Sequence, residues 1–226
     1  MNNINLTRDD ALRICIITEE QLKIVETSSL SSHRDYNPRR GIKVVSALNQ
    51  YFNSEMFKGK RILEFGPGHY AFSLLARSLG ATVECVEIDP VLVELGRELG
   101  FKVHEKSFDY ISSIGLEGKF DGIWQKGCFN ACRFQEEVDM SRYAKEITGI
   151  LAENGWGWVS TCNKASGVKA NDELFTKQRI ELQQTYMKEN GWKLRPFTEE
   201  IGKKYAIKYA NSPVLFTRYL GEGALI

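Results

Sequence analysis

The sequence predicts an α/β fold built around a mostly parallel sheet, and three observations lead to that prediction. From residue 60 onward, short apolar runs alternate with segments of helical periodicity that end at glycine, as in βαβ units. Near the C-terminal end, two strand-like runs are joined by a loop with no room for a crossover helix. A chain of 226 residues with 42% hydrophobic residues is long enough to bury one large core.

Two helices are predicted ahead of the alternating region. The first is built around TEEQLKIVE, where Thr18 and Gln21 have the spacing of a capping box. The second is NPRRGIKVVSALNQYF, in which Asn37 suits the N-cap and Pro38 suits the first helical position. Both helices precede the first predicted strand, so they form an N-terminal addition to the α/β region.

The alternating region supplies the rest of the elements in order. The five predicted parallel strands are RILEF, TVECVE, FKVHE, KFDGIWQ and GWGWVST. The helices between them are AFSLLARSLG, VLVELGRELG and residues 135–151. A helix over residues 172–189 then precedes GWKLRPF and SPVLFTRYL, which should pair as an antiparallel hairpin.

Composition limits the partners that the chain is expected to have. Thirty Lys and Arg against 29 Asp and Glu give a net charge of +1, far from the basic excess of a protein that binds many phosphates. Five cysteines without a C-x-x-C pair indicate reduced thiols. No run approaches the ~18 apolar residues of a membrane span, and the first residues lack a secretion signal. We therefore expect a cytoplasmic protein with no nucleic-acid or membrane partner.

The run ILEFGPGHYA predicts a ligand site. Gly66, Gly68 and Ala71 fit the pattern G-x-G-x-x-A directly after the first strand, so a ligand can approach the bare backbone and the free N–H groups of the next helix. Glu87 ends the second strand, 21 residues after Gly66, where a carboxylate can bind the hydroxyls of a ribose. Together these residues predict a ligand that contains adenosine.

Glu64 distinguishes two cofactors of that kind. It lies inside the first strand, two residues before Gly66. A pyrophosphate gains nothing from another negative charge there, whereas a ligand with an ammonium and a sulfonium group does. The sequence therefore favours S-adenosylmethionine (SAM) over a nicotinamide dinucleotide.

The stretch RILEFGPGHYAFSLLARSLGATVECVEIDP resembles the first signature of class I SAM-dependent methyltransferases, and the element order resembles that family over about residues 60–220. The resemblance implies a Rossmann-like three-layer sandwich whose seven-stranded, mostly parallel sheet has the order 3-2-1-4-5-7-6, with strand 7 antiparallel. It also implies that residues 1–57 form an N-terminal helical lid segment and residues 58–226 the methyltransferase domain. The expected cofactor is SAM, with S-adenosyl-L-homocysteine as its product.

The resemblance also assigns cofactor contacts. Ile88 looks like the side chain that packs on adenine, and the polar edge of adenine would meet the segment after strand 3. The family's third glycine is replaced by Tyr70, which should place a tyrosine close to the cofactor. The complete set of expected cofactor contacts is Glu64, Gly66, Pro67, Gly68, Glu87, Ile88, Ser107, Phe108 and Gln125.

Catalysis and acceptor binding are expected from three segments. Methyl transfer depends mainly on alignment and exclusion of water, and a general base helps when the nucleophile arrives protonated. The N-terminal segment and the start of the helix after the glycine turn supply the candidate catalytic residues His33, Tyr36 and His69. The same N-terminal segment and the end of strand 4 supply the candidate substrate contacts Tyr36, Arg40, Lys126, Cys128 and Asn130.

The sequence thus predicts a SAM-dependent methyltransferase that acts on O or N of a small molecule, as a monomer or homodimer. A metal site is not expected, because Cys128 and Cys132 lack further ligands at suitable spacing. The D/N-P-P-Y/F motif of base methylation is absent. Three alternatives stay open: a protein side-chain methyltransferase, an NAD(P)-dependent oxidoreductase with a Rossmann fold, and a binding module that keeps the fold without the activity.

Overall fold

The computed structural model describes residues 3–28, 34–129, 137–161, 173–196 and 214–218. Its strands are β1 (Arg61–Phe65), β2 (Thr82–Glu87), β3 (Lys102–Glu105), β4 (Phe120–Phe129), β5 (Leu151–Thr161), β6 (Lys193–Pro196) and β7 (Val214–Arg218). Its helices are α1 (Arg8–Ile14), α2 (Glu19–Glu26), α3 (Arg40–Tyr51), α4 (Ala71–Ser78), α5 (Pro90–Glu98), α6 (Glu137–Gly149) and α7 (Glu173–Glu189). Short 3-10 turns span Ser54–Met56 and Ile111–Ser113.

The strands form one sheet in the order β3-β2-β1-β4-β5-β7-β6. Strands β1 to β5 run parallel, which confirms the predicted α/β class and the parallel part of the sheet. Strand β7 pairs antiparallel with both β5 and β6. The carboxyl ends of β1 and β4 lie side by side at the centre, where the strand order reverses, and open sheets bind their ligands at such a point.

Helices cover both faces of this sheet. Along β1, Ile62 packs into a hydrophobic cluster with α4, α5 and the N-terminal helices, while Leu63 packs on the opposite face against α6 and α7. This alternation follows from the two-residue period of a strand. The N-terminal residues Ile4, Ala11 and Val25 are almost fully buried in the first cluster, so the N-terminal segment shares its core with the sheet. The role of residues 1–57 as a lid separate from the domain of residues 58–226 stays a prediction.

The N-terminal helices differ from the expectation in two places. Helix α2 has the predicted capping box between Thr18 and Gln21, but α1 was not predicted, although Thr7 and Asp10 form the same kind of box. Helix α3 begins at Arg40 instead of Pro38. The preceding residues form a hydrogen-bonded turn in which Asn37 Oδ1 accepts from Arg39 N at 2.9 Å. None of the helices within the described ranges is long and apolar enough to cross a membrane.

Candidate active site

The glycine turn between β1 and α4 leaves its backbone open. Gly66 and Gly68 have φ angles of 61° and 56°, in the left-handed region that glycine tolerates best. A Cβ atom built on Gly68 would meet nothing within 4 Å, so the space above this residue is available to a ligand. Gly66 N donates to Val86 O at 2.9 Å, which fixes the turn against β2.

Tyr70, at the end of this turn, does not lie where the sequence suggested. Its φ of 59° keeps the left-handed conformation, yet its side chain is fully buried beneath α5. The hydroxyl donates to Leu92 O at 2.7 Å, and the ring stacks on Phe101 with centroids 5.5 Å apart. The expectation of a tyrosine beside the cofactor is therefore wrong, because Gly96 leaves room for the ring under the helix: a Cβ there would lie 2.1 Å from the hydroxyl oxygen.

A cavity of about 290 Å³ opens beside the turn. It lies between the turn, the carboxyl ends of β1 and β4, and the first turns of α3. The lining residues are Arg40, Lys43 and Val44 from α3, Glu64, Trp124 and Lys126 from the strands, and Gly66, Pro67, Gly68, His69, Ala71 and Phe72 from the turn and α4. Seven of the residues predicted from the sequence meet here: Arg40, Glu64, Gly66, Pro67, Gly68, His69 and Lys126.

Glu64 is the acidic residue of this cavity. Its side chain is almost fully buried, and Oε2 accepts a hydrogen bond from Ser73 Oγ on α4. Burial raises the pKa of the Glu64 carboxyl to about 8, although the Ser73 hydrogen bond and the charge of Lys126 act in the opposite direction. A cationic ligand group would favour the ionised carboxylate, because an opposite charge lowers a carboxyl pKa.

Three cationic residues line the same cavity. Arg40 and Lys43 lie one helical turn apart on α3, and Lys126 lies near the end of β4. Burial lowers the pKa of the Arg40 guanidinium, so this charge is partly removed from water. Among the lining residues that the structure describes, Glu64 is the one acidic residue.

The floor of the cavity is aromatic. Phe72 stacks on Trp124 with ring centroids 4.2 Å apart, and Trp124 stacks on Trp158 at 3.9 Å. Trp124 pairs with Glu64 in the sheet register, so both side chains leave the sheet on the same face. Trp156 and Trp158 of strand β5 are also buried in the core. The aromatic stack therefore places large apolar side chains next to the buried carboxyl of Glu64.

The predicted ribose-binding carboxylate lies at the end of β2, outside the cavity. Glu87 Oε1 accepts hydrogen bonds from Ile88 N at 2.7 Å and Asp89 N at 3.0 Å, which holds the carboxylate at the start of α5. Oε2 accepts no hydrogen bond from the described residues. The neighbouring Ile88 side chain is 59% exposed, so a ligand can reach it.

The other expected cofactor contacts, Ser107, Phe108 and Gln125, are not among the residues that line the cavity. Phe108 is buried against Phe65, with ring centroids 6.3 Å apart, and Ser107 Oγ donates to Asp109 Oδ2 at 2.7 Å. The fully buried Gln125 faces α6, where Oε1 accepts from the Tyr143 hydroxyl. Their roles in cofactor binding stay predictions.

The candidate catalytic residues are brought together in part. The Tyr36 and His69 rings lie 5.0 Å apart between centroids, and the Tyr36 hydroxyl donates to Cys15 O at 2.5 Å. Burial raises the pKa of the Tyr36 phenol, so this hydroxyl stays protonated and anchors its segment to the end of α1. His33 and Asn130 lie outside the described residues. Cys128 belongs to β4, but its side chain is likewise outside them.

Several residues of this site were not predicted from the sequence, among them Lys43, Val44, Phe72 and Ser73. Lys43 and Val44 follow Arg40 at the i+3 and i+4 positions of α3, so helical spacing would have found them once Arg40 was chosen. Ser73 is separated from Glu64 by nine residues and a turn. No spacing rule joins a strand residue to a helix residue across such a turn.

Comparison with known proteins identifies the fold. No protein-family model and no curated protein sequence matches the chain. Three solved structures resemble it: fibrillarin from Aeropyrum pernix with bound SAM (TM-score 0.54, 14% identity, 86% of this chain and 85% of that chain), N-methyltransferase NodS from Bradyrhizobium japonicum with S-adenosyl-l-homocysteine (0.52, 10%, 88% and 95%), and a SAM-dependent methyltransferase from Mesorhizobium loti (0.51, 15%, 72% and 91%). The chain therefore has the Rossmann-like fold of SAM-dependent methyltransferases, as the resemblance implied.

Proposed function

We propose that the protein is a SAM-dependent methyltransferase that transfers a methyl group to O or N of a small molecule. The observation that carries this proposal is the buried carboxyl of Glu64, which lines a cavity beside the open glycine turn. The fold is the one that solved methyltransferases share. The pairing of β7 between β5 and β6 supports the complete family order 3-2-1-4-5-7-6.

The residues of the site fit SAM. Above Gly68 there is open space for the cofactor backbone, and Glu64 can balance its ammonium group. At the other end, Oε2 of Glu87 would accept hydrogen bonds from the ribose hydroxyls while Oε1 stays bonded to the backbone of Ile88, and the exposed Ile88 side chain offers an apolar surface for adenine. In the oxidoreductase alternative a pyrophosphate would lie next to Glu64, where like charges repel.

The chain's own residues then have three tasks. When bound, the cofactor supplies a methyl group that its sulfonium activates. Glu64 and the glycine turn fix the methionine end, while Trp124 and Phe72 form an apolar wall that excludes water and suits a positive charge. The first turns of α3 close the opposite side, so the acceptor meets the methyl group in a confined space.

Acceptor binding is assigned to the residues around this space. Arg40, His69 and Lys126 line the cavity, the Tyr36 ring lies against His69, and Cys128 and Asn130 follow in the chain after Lys126. We assign His33 and His69 to proton removal or to positioning the acceptor, and Tyr36, whose hydroxyl stays protonated, to positioning. The confined cavity, of about 290 Å³, is the ground on which we propose a small acceptor. A cytoplasmic monomer or homodimer is part of the same proposal.

Two measurements test this function. Thermal shift with S-adenosylhomocysteine and with NAD(P)H compares the two cofactor classes on the same protein. We expect S-adenosylhomocysteine to raise the melting temperature and NAD(P)H to leave it unchanged. Transfer of a labelled methyl group from SAM to a panel of small acceptors then tests the activity, and stabilisation by NAD(P)H alone would refute the proposal.

A further inference from the structure

Ser73 places a buried hydroxyl behind the acidic residue of the cavity. It is the third residue of α4, its side chain is fully buried, and its Oγ donates to Glu64 Oε2. Cys85 Sγ lies 3.2 Å from the same Oγ. Cys85 pairs with Glu64 in the sheet register, so both side chains leave the sheet on the same face. The three side chains form a short chain of hydrogen bonds that ends at the cavity.

This chain of hydrogen bonds can run in either direction, because a hydroxyl donates and accepts at the same time. When Glu64 is ionised, the Cys85 thiol donates to Ser73 Oγ and the Ser73 hydroxyl donates to the carboxylate. When Glu64 is protonated, its O–H donates to Ser73 Oγ and the Ser73 hydroxyl donates to Cys85 Sγ. The carboxyl therefore keeps one position in both protonation states.

The titratable groups around Glu64 favour its neutral form in the absence of cofactor. Burial raises the pKa of three neighbours, which are therefore uncharged at neutral pH: Cys15, Tyr70 and Cys85. The charge of Lys126 on β4 lowers the pKa of Glu64, and that of Glu87 at the end of β2 raises it. Arg40 and Lys43 line the same cavity from α3. Burial outweighs the effects that lower the pKa of Glu64, which is about 8.

We propose that Ser73 is a positioning residue for the cofactor: its hydroxyl holds Glu64 in place both as a neutral acid and as a carboxylate, so that each cofactor molecule bound displaces one proton from Glu64. This inference rests on the proposed methyltransferase function. It adds Ser73 to the cofactor site and makes the affinity for the cofactor depend on pH.

The ammonium group of the cofactor drives the exchange. An opposite charge beside a carboxyl favours its ionised form. The O–H bond of Glu64 breaks, the proton leaves through the cavity to the buffer, and the carboxylate pairs with the ammonium group. The Ser73 hydroxyl turns from Cys85 Sγ to the new carboxylate, which gains a charge-assisted hydrogen bond without a movement of heavy atoms.

Calorimetry with S-adenosylhomocysteine on the full chain measures the displaced proton. Titrations at pH 7 in phosphate and in Tris, two buffers of different ionisation enthalpy, give the number of protons released per ligand bound. We expect more than half a proton for the wild type and a value near zero for Glu64→Gln. The wild-type affinity should also rise by up to about tenfold per pH unit between pH 6 and pH 7 and level off near pH 8.

Variants of α4 separate positioning from a purely structural role. Ser73→Ala should bind S-adenosylhomocysteine at least tenfold more weakly. Its affinity should level off about one pH unit higher, because Glu64 has lost a hydrogen bond that lowers its pKa. Ser73→Thr keeps the hydroxyl and should restore the wild-type pH profile. Ser78→Ala is the matched control at the other end of α4, where the hydroxyl donates to Leu75 O at 2.7 Å, and should behave like the wild type.

Two results on the wild type alone would overturn the inference: an affinity that stays constant between pH 6 and pH 8, or binding without release of a proton. Both measurements remain decisive if a Ser73 variant does not fold. A folded Ser73→Ala protein with the affinity and pH profile of the wild type would overturn it as well. Failure of S-adenosylhomocysteine to bind the wild type at any pH would instead refute the proposed function.

Discussion

Replacing Glu64 by glutamine should stabilise the cofactor-free protein while weakening SAM binding. The carboxyl is buried among Ser73, Trp124 and the glycine turn, and burial raises its pKa from 4.5 to about 8. Glutamine has nearly the same shape, and its Oε1 can still accept the hydrogen bond from Ser73. The substitution therefore removes the charge and changes little else.

The gain in stability expected for Glu64→Gln depends on pH. Because the folded-state pKa lies above the unfolded-state value, the stability that this carboxyl contributes is fully present below about pH 4.5 and is lost as the pH rises through about 8. The two values differ by about 3.5, and one pKa unit corresponds to about 1.4 kcal/mol. Glu64→Gln should therefore be more stable than the wild type by about 1 kcal/mol at pH 5 and about 4 kcal/mol at pH 8.

Chemical denaturation of the cofactor-free proteins at pH 5 and pH 8 measures this difference. Glu84→Gln is the matched control, because Glu84 is also buried in the sheet but bonds to Arg61 at 2.5 Å and His104 at 2.9 Å. Burial by itself would raise the pKa of Glu84, but hydrogen bonds from His104, Arg61 and Lys102 outweigh burial, so the pKa is lowered. Glu84→Gln should therefore be less stable than the wild type above about pH 4.5, whereas Glu64→Gln should be more stable than the wild type there.

Calorimetry completes the experiment. Glu64→Gln should bind SAM at least tenfold more weakly, since the ammonium group loses its counter-charge. Equal stability of wild type and Glu64→Gln at pH 5 and pH 8 would show that the carboxyl is not held in a dry site. Unchanged SAM affinity would separate Glu64 from the cofactor.

Four further changes test other parts of the site. Glu87→Ala should lower SAM affinity in calorimetry at least tenfold, because the ribose loses charge-assisted hydrogen bonds. Gly68→Val should abolish stabilisation by S-adenosylhomocysteine while the fold survives, since its side chain fills the open space above the turn. Tyr36→Phe removes the hydrogen bond to the end of α1, so single-turnover rates should fall while stability drops by only about 1 kcal/mol. Gly96→Ala places a methyl group on the Tyr70 ring and should cost about 1 to 3 kcal/mol in denaturation without changing cofactor affinity.

Each of these changes has an outcome that contradicts its reasoning. Native SAM affinity in folded Glu87→Ala would remove that residue from the ribose site. Native binding by Gly68→Val would make the turn purely structural, and full turnover by Tyr36→Phe would separate the N-terminal segment from catalysis. A Gly96→Ala protein of native stability would mean that the Tyr70 ring can leave its place under α5.

Several features of the fold could be predicted because they depend on neighbours in the chain. Strand and helix periods repeat within a few residues, so the alternation from residue 60 indicated the parallel sheet. The glycine turn combines fixed spacing with backbone conformations that side chains disfavour, and Gly66 and Gly68 have the positive φ angles it requires. Capping spacing located α2, and the same rule applied to Thr7 and Asp10 would have located α1.

Contacts between distant segments could not be predicted in this way. The direction of Tyr70 depends on the room that Gly96 leaves on another helix. The stack of Trp124 on Phe72 joins a strand to a helix more than fifty positions away. Neither contact has a spacing signal, because side chains from separate elements meet only after the layers pack.

The sequence by itself determined the class of fold, the position of the ligand turn and the two carboxylates on either side of it, since each follows from local periods and spacing. Only the tertiary structure decided that Glu64 is buried beside a cavity, that Tyr70 turns away from it, and that α3 supplies its cationic wall. The physical reason is that burial, and with it the pKa of a carboxyl, depends on every element packed around a side chain, whereas local spacing specifies only which side chains share a face of one element.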